Sequence, residues 1–133
     1  MLRAGRAEVV AVVDAETLLL KQPAVDGQPE FVGEVRLLGI AVPESLRTGQ
    51  SIAFLKKLTE SGIANVELDK RRVDHDGRLL AYVYAGDLHL SEELVAAGWA
   101  RVHTYPGDSM SVNRKLLAAQ ASAKRQRLGI WSE

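Results

Sequence analysis

Cysteine is absent from this chain, which excludes disulfides, thiolate metal sites and thiol catalysis but does not fix a compartment. Net charge is absent as well: 17 Lys and Arg balance 17 Asp and Glu, so the molecule as a whole has no electrostatic attraction to nucleic acid. No apolar run approaches the roughly eighteen residues of a membrane-spanning helix. Met1 to Arg6 lead straight into strand-like sequence without the apolar core of a signal peptide; either the chain stays in the cytosol or an export segment has been removed, and the compartment stays open. There is no GxSxG, HExxH, P-loop or GxGxxG, so those chemistries lose their usual support, and there is neither an internal repeat nor a low-complexity segment.

What is present is the make-up of a globular protein, 47% hydrophobic and 26% charged, which excludes disorder. At 133 residues the expectation is one domain, 1–133, able to fold alone. Val9 to Val13 is β-branched and reads as a strand; Asp14-Ala15-Glu16 makes a turn with an acidic tip, and Thr17 to Lys21 returns as a second strand. A third strand is expected from Phe31 to Ile40, with Gly39 permitting a bulge or bend and Pro43 unable to continue a ladder. Ile52, Leu55 and Leu58 fall at helical spacing, predicting a helix over 50–61 that Gly62 ends. Residues 65–71 alternate as a half-exposed strand; Asp74-His75-Asp76-Gly77 turns the chain, and Leu79 to Ala85 gives a fifth strand. Ser91 is the expected N-cap of a short helix that Gly98 closes, and a last helix runs from about Val112 to Leu128, with Ile130 and Trp131 docking back on the core. Three strands, a helix, two strands and two helices match an α+β, mainly β fold, a five-stranded Greek-key OB barrel with three helices.

The most informative stretch is Val35 to Glu44, an apolar run with Arg36 near its start and Glu44 at its end. Such a bracketing pair is either a salt bridge on the rim or an anion-binding and proton-handling site. Ser109 to Trp131 carries Arg114, Lys115, Lys124, Arg125 and Arg127 and no acidic residue, read either as a solvated helix face or as part of a surface for polyanions. His75, His89 and His103 share no metal-ligand spacing and are expected at the surface. Asp74-x-Asp76-Gly77 is a hairpin turn rather than a calcium loop, because its glycine comes too early for an EF-hand and no glutamate closes it.

In order and spacing, several motifs together resemble the thermonuclease, or staphylococcal nuclease-like, family from about Glu8 to Glu133. They are Val13-Asp14-Ala15-Glu16-Thr17, Val35 to Glu44, Asp76-Gly77-Arg78-Leu79-Leu80-Ala81-Tyr82-Val83, Glu93-Leu94-Val95 with Gly98, Ala100 and Arg101, and Leu128-Gly129-Ile130-Trp131. The resemblance implies the staphylococcal nuclease variant of the OB barrel and a calcium-dependent phosphodiesterase acting on DNA and RNA. In that chemistry two arginines neutralise charge on phosphorus and a glutamate activates water; Arg36, Arg78 and Glu44 match them residue by residue. Of the implied metal ligands, the first aspartate aligns with Glu16, the second with Ala41, which has no oxygen to offer, and the third is the main-chain carbonyl of Val42, with Asp14 nearby. Asp76 and Thr104 stand where well-known members carry nucleotide-contacting tyrosines, leaving Tyr105 as the nearest replacement. The resemblance thus implies calcium held weakly or not at all, with weak or absent hydrolysis and a binding role; the alternative is an active nuclease with an altered metal site. The expected partner is single-stranded nucleic acid, with Tyr105, Lys124, Arg125 and Arg127 contributing, or a protein or peptide, met by a monomer.

Overall fold

The computed structural model describes residues 1–132; Glu133, the last residue of the expected domain, lies outside the described residues. In chain order the strands are β1 (Gly5–Asp14), β2 (Thr17–Gln22), β3 (Phe31–Leu37), β4 (Ile40–Ala41), β5 (Ile63–Glu67), β6 (Leu79–Ala85), β7 (Leu88–His89) and β8 (Arg101–Val102). The helices are α1 (Gly49–Leu58), α2 (Leu90–Ala96) and α3 (Met110–Gln126), with 3-10 turns at Glu44–Leu46 and Gly129–Trp131. Sheet order β3-β2-β1-β5-β6 closes through a parallel β3–β6 pairing, giving the five-stranded barrel with three helices that the element order implies.

β1 makes the closure possible because it serves two partners. Gly5 to Glu8 pair with β5 and Glu8 to Asp14 pair with β2, and shifts in register between Val9 and Ala11 and between Val12 and Asp14 bend the strand around the barrel. The interior is filled by Leu18, Leu20, Val35, Leu37, Val66, Leu80 and Val83. Leu55 of α1 is fully buried, and Leu90 and Leu94 of α2 and Leu116 of α3 extend the same core where α2 packs on β6 and α3. Ten-residue α1 is pinned at its start by a reciprocal cap, the Thr48 hydroxyl accepting from Ser51 N–H and the Ser51 hydroxyl from Thr48 N–H.

Several boundaries differ from the sequence reading, each for a physical reason. β3 stops at Leu37 because Gly39 turns the chain at φ 87°, after which Ile40 and Ala41 pair with β8 instead, and the ladder ends before Pro43 as expected. β5 stops at Glu67 rather than running on to Arg71. Asp69 is drawn out of the ladder to accept from the Tyr82 hydroxyl at 2.9 Å and Ser109 N–H at 2.8 Å, and Arg71 is drawn to Asp108. α2 starts one residue before Ser91. His89 caps it, and Ser91, fully buried, donates to the Leu38 carbonyl at 2.8 Å. α3 begins at Met110, capped by Ser109, and ends with Arg127 in the left-handed conformation. Ile130 and Trp131 are half-buried, with Lys124 Nζ 4.6 Å over the Trp131 ring.

Candidate functional site

The β1–β2 turn sets the site. The Asp14 carboxylate accepts from Glu16 N–H at 2.9 Å, closing an Asx turn that folds the chain inward, so Glu16 is 1% exposed. The turn with an acidic tip expected here is present, and Ala15 and Glu16 in it are both buried. Glu16 Oε2 accepts from Val42 N–H at 3.3 Å and lies 3.4 Å from Arg36 Nη2, while Oε1 accepts from Arg47 Nη2 at 2.5 Å. Arg47 also donates through Nε to the Val42 carbonyl at 3.1 Å.

From Arg36 the chain of charges continues. Arg36 Nη1 lies 3.6 Å from Asp74 Oδ2, and that same oxygen accepts from Arg78 Nε at 2.7 Å. Asp74 Oδ1 accepts from the backbone N–H of both Asp76 and Arg78, and Arg78 Nη2 reaches Asp76 at 3.3 Å. Burial alone would raise the Asp74 carboxyl, but the Arg78 backbone and guanidinium and the Asp76 backbone hold it below the ordinary carboxylate range. Its hydrogen bond in turn raises Arg78 above the usual guanidinium value. Three arginines, Arg47, Arg36 and Arg78, thus alternate with three carboxylates, Glu16, Asp74 and Asp76. The parallel β3–β6 pairing brings the two halves together, setting Arg36 opposite Leu80.

Arg36 is the least committed member. Its two carboxylate contacts are long for a guanidinium pair, and its Nε is buried with no partner. The rim pair with Glu44 does not form: Glu44 stands exposed on its 3-10 turn, and its side chain makes no ion pair or hydrogen bond among the described residues. Tyr105 shares a narrow crevice with Arg36, Arg71, Asp74 and His103, and its ring lies 4.1 Å from the Arg71 guanidinium. Lys124, Arg125 and Arg127 are exposed at the far end of α3 and line no part of that crevice. A separate groove of about 470 Å³ is lined by Arg3, Arg6, Lys21 and Ile63 among others and shares no residue with the chain of charges.

The family model described as staphylococcal nuclease homologue matches residues 34–133, which include Arg36, Glu44, Asp74 and Arg78. The chain belongs to the family of staphylococcal nuclease homologues. It is 30% identical over 131 residues to a thermonuclease of Staphylococcus intermedius, covering 92% of this chain and 74% of that protein. A thermonuclease of Staphylococcus hyicus is 26% identical over 133 residues, covering 94% and 75%, and endonuclease YncB of Bacillus subtilis is 40% identical over 80 residues, covering 59% and 37%. This is a nuclease-like domain on the barrel of that family.

Calcium, on which the family generally depends, takes six to eight oxygens and gains affinity from their charge. The residues in its place fit it poorly. Glu16 is already held by two guanidiniums and a backbone N–H; the Val42 carbonyl is bonded to Arg47; Ala41 offers no side-chain oxygen; one Asp14 oxygen accepts within its own turn. Among the described residues no group of three or more His, Asp or Glu side chains is placed to hold a metal ion.

Three members of the cluster, Asp74, Asp76 and Arg47, were not among the site residues expected from sequence, and Asp76 stood only in the turn motif. Asp74 was visible only as a turn residue, although an aspartate four residues before an arginine across Asp-Gly is itself a signal for such a pair. Arg47 had no local signal, since its partner Glu16 is 31 residues away. The surface expectation for the histidines holds for His75 and His103 but not for His89, which is 6% exposed between Tyr82 and Tyr84.

Proposed function

We propose that this domain binds the phosphodiester of single-stranded nucleic acid at Arg36 and Arg78, and that calcium-dependent hydrolysis at the site is weak or absent. What supports the reading is one contrast: the Glu16 and Val42 oxygens that would hold a metal are already engaged by protein donors, whereas the Arg36 Nη groups have only long carboxylate contacts. A phosphodiester oxygen would compete for the Arg36 Nη groups, whose carboxylate contacts are long, and Asp74 holds Arg78 beside it. Tyr105, in the same crevice, offers a face on which a base can stack. Lys124, Arg125 and Arg127 enter the proposal as remote charge; neutralising all three lowers the salt dependence of binding without abolishing it.

A second reading, a working phosphodiesterase with an altered metal preference, is favoured by Glu44, whose carboxylate is exposed and unengaged and so free to take a proton from water. Single-stranded DNA and RNA incubated with the protein in Ca²⁺, Mg²⁺, Mn²⁺ or EDTA separate the two. The first reading expects binding without cleavage, weakened about tenfold or more by Arg36→Ala. Metal-dependent cleavage that Arg36→Ala abolishes establishes the second. Absence of nucleic-acid binding leaves a protein or peptide as the partner.

A further inference from the structure

Resting on the phosphodiester-binding reading above, we infer that Arg47 is the site's own cation: its guanidinium takes the place of the divalent ion and donates to the bound phosphodiester, so that recognition requires no metal. Two oxygens from separate elements converge on it, the Glu16 carboxylate from the β1–β2 turn and the Val42 carbonyl from the loop after β4. These are the same two groups that the family resemblance gives to calcium, and a guanidinium bridging them closes the position a metal would need.

The charges point the same way. Glu16 is buried and needs a permanent positive partner; Arg47 is tethered three residues beyond Glu44, its backbone N–H bonded to the Glu44 carbonyl at 3.1 Å. A guanidinium stays protonated and cannot dissociate, whereas an ion seated there would have one carboxylate to share with Arg36 and would first have to displace Arg47. Nor are its donors exhausted. Nε and Nη2 are in use, Nη1 makes no hydrogen bond among the described residues, and the side chain is 41% exposed. Arg47 and Arg36 flank opposite oxygens of one carboxylate, so a phosphodiester bound beside it would be received by the Nη groups of both guanidiniums.

The test uses the full chain and a fluorescein-labelled oligothymidylate, with affinity read by anisotropy in EDTA and in calcium chloride. Wild type is expected to bind equally in both, and Arg47→Ala to bind about tenfold or more weakly in EDTA. A calcium requirement in wild type, or undiminished binding by Arg47→Ala, overturns the inference. Undiminished binding by Arg36→Ala instead overturns the phosphodiester-binding reading itself, so the two failures are distinguishable. Arg47→Gln, which preserves a donor to the Val42 carbonyl, replaces Arg47→Ala if melting shows the latter unfolded. Calorimetry gives an independent readout: Ala41→Asp alone is expected to take up no calcium and Ala41→Asp with Arg47→Ala to take it up. Calcium binding by the single variant, or none by the double, overturns the claim that Arg47 occupies the metal's position.

Discussion

Glu16 stands between Arg36 and Arg47 with almost none of its surface in water, and among the described residues the two guanidiniums have no other carboxylate at comparable range except Asp74 beside Arg36. Removing its charge leaves Arg47 without a carboxylate and Arg36 with Asp74 alone, which costs several kcal/mol where the pair is buried and less on the partly exposed Arg47 side. Glu16→Gln is therefore expected to lose about 3 kcal/mol in urea titration. Asp14→Ala, which removes one turn hydrogen bond, should lose about 1 kcal/mol. Equal losses would contradict a central role for Glu16. The residue types of the site were legible in the sequence, since Arg36, Glu44 and Arg78 stand in recognisable motifs, but their pairing was not. An acidic tripeptide between two strands reads as a solvent-facing tip. Only the Asx turn of Asp14 and the arrival of Arg47 from another loop bury Glu16, and neither leaves a local pattern.

At the scale of elements, strands and helices were legible because hydrophobic periodicity and turn residues are local, whereas their ends were decided by contacts between them. Residues 65–71 alternate as a strand should, yet Asp69 is worth more as an acceptor for Tyr82 and Ser109 than as a ladder residue. Gly98, read as a helix stop, and the Leu128-Gly129-Ile130-Trp131 motif, expected to dock on the core, also have a shared tertiary cause. Ile130 N–H donates to the Gly98 carbonyl at 2.9 Å, and a Cβ on Gly98, at φ 82°, would sit 2.4 Å from the Leu128 carbonyl oxygen. Backbone cannot yield as a side-chain tip can. Gly98→Ala should then combine left-handed strain with overpacking for about 3 kcal/mol or more, a fall in Tm of roughly 10 °C. Gly107→Ala, equally left-handed at φ 94° but with open space around it, should cost about 1 to 2 kcal/mol. A Gly98→Ala melt matching that of Gly107→Ala would show that the close approach is not rigid.

For the whole molecule the response to acid combines groups from several elements. His89 is held with Nδ1 accepting from Glu92 N–H at 3.4 Å, its Nε2 buried without a partner, and the Tyr82 and Tyr84 rings beside it. Burial, with the positive charge of Lys115 added, pushes its imidazole down to about 4 from an ordinary 6.5. The unfolded chain therefore takes the proton first as pH falls. Stability from a neutral His89 is complete above about pH 6.5 and drains away towards pH 4, by at most ~3 kcal/mol. Asp69 and Asp74 act lower. Burial would raise both, but backbone N–H groups together with the Tyr82 hydroxyl at Asp69 and the Arg78 guanidinium at Asp74 hold them below 3.8, so their contributions persist until pH falls through that region. Urea midpoints measured against pH should accordingly decline in two stages, one between 6.5 and 4 and a second below 4. His89→Phe removes the titrating ring while keeping an aromatic against Tyr82 and Tyr84, so it should flatten the first stage and leave the second. The loss of its helix cap lowers all midpoints alike, which makes slope the decisive quantity. An unchanged slope between pH 6.5 and 4 in that variant would mean that the acid response comes from the carboxylates alone.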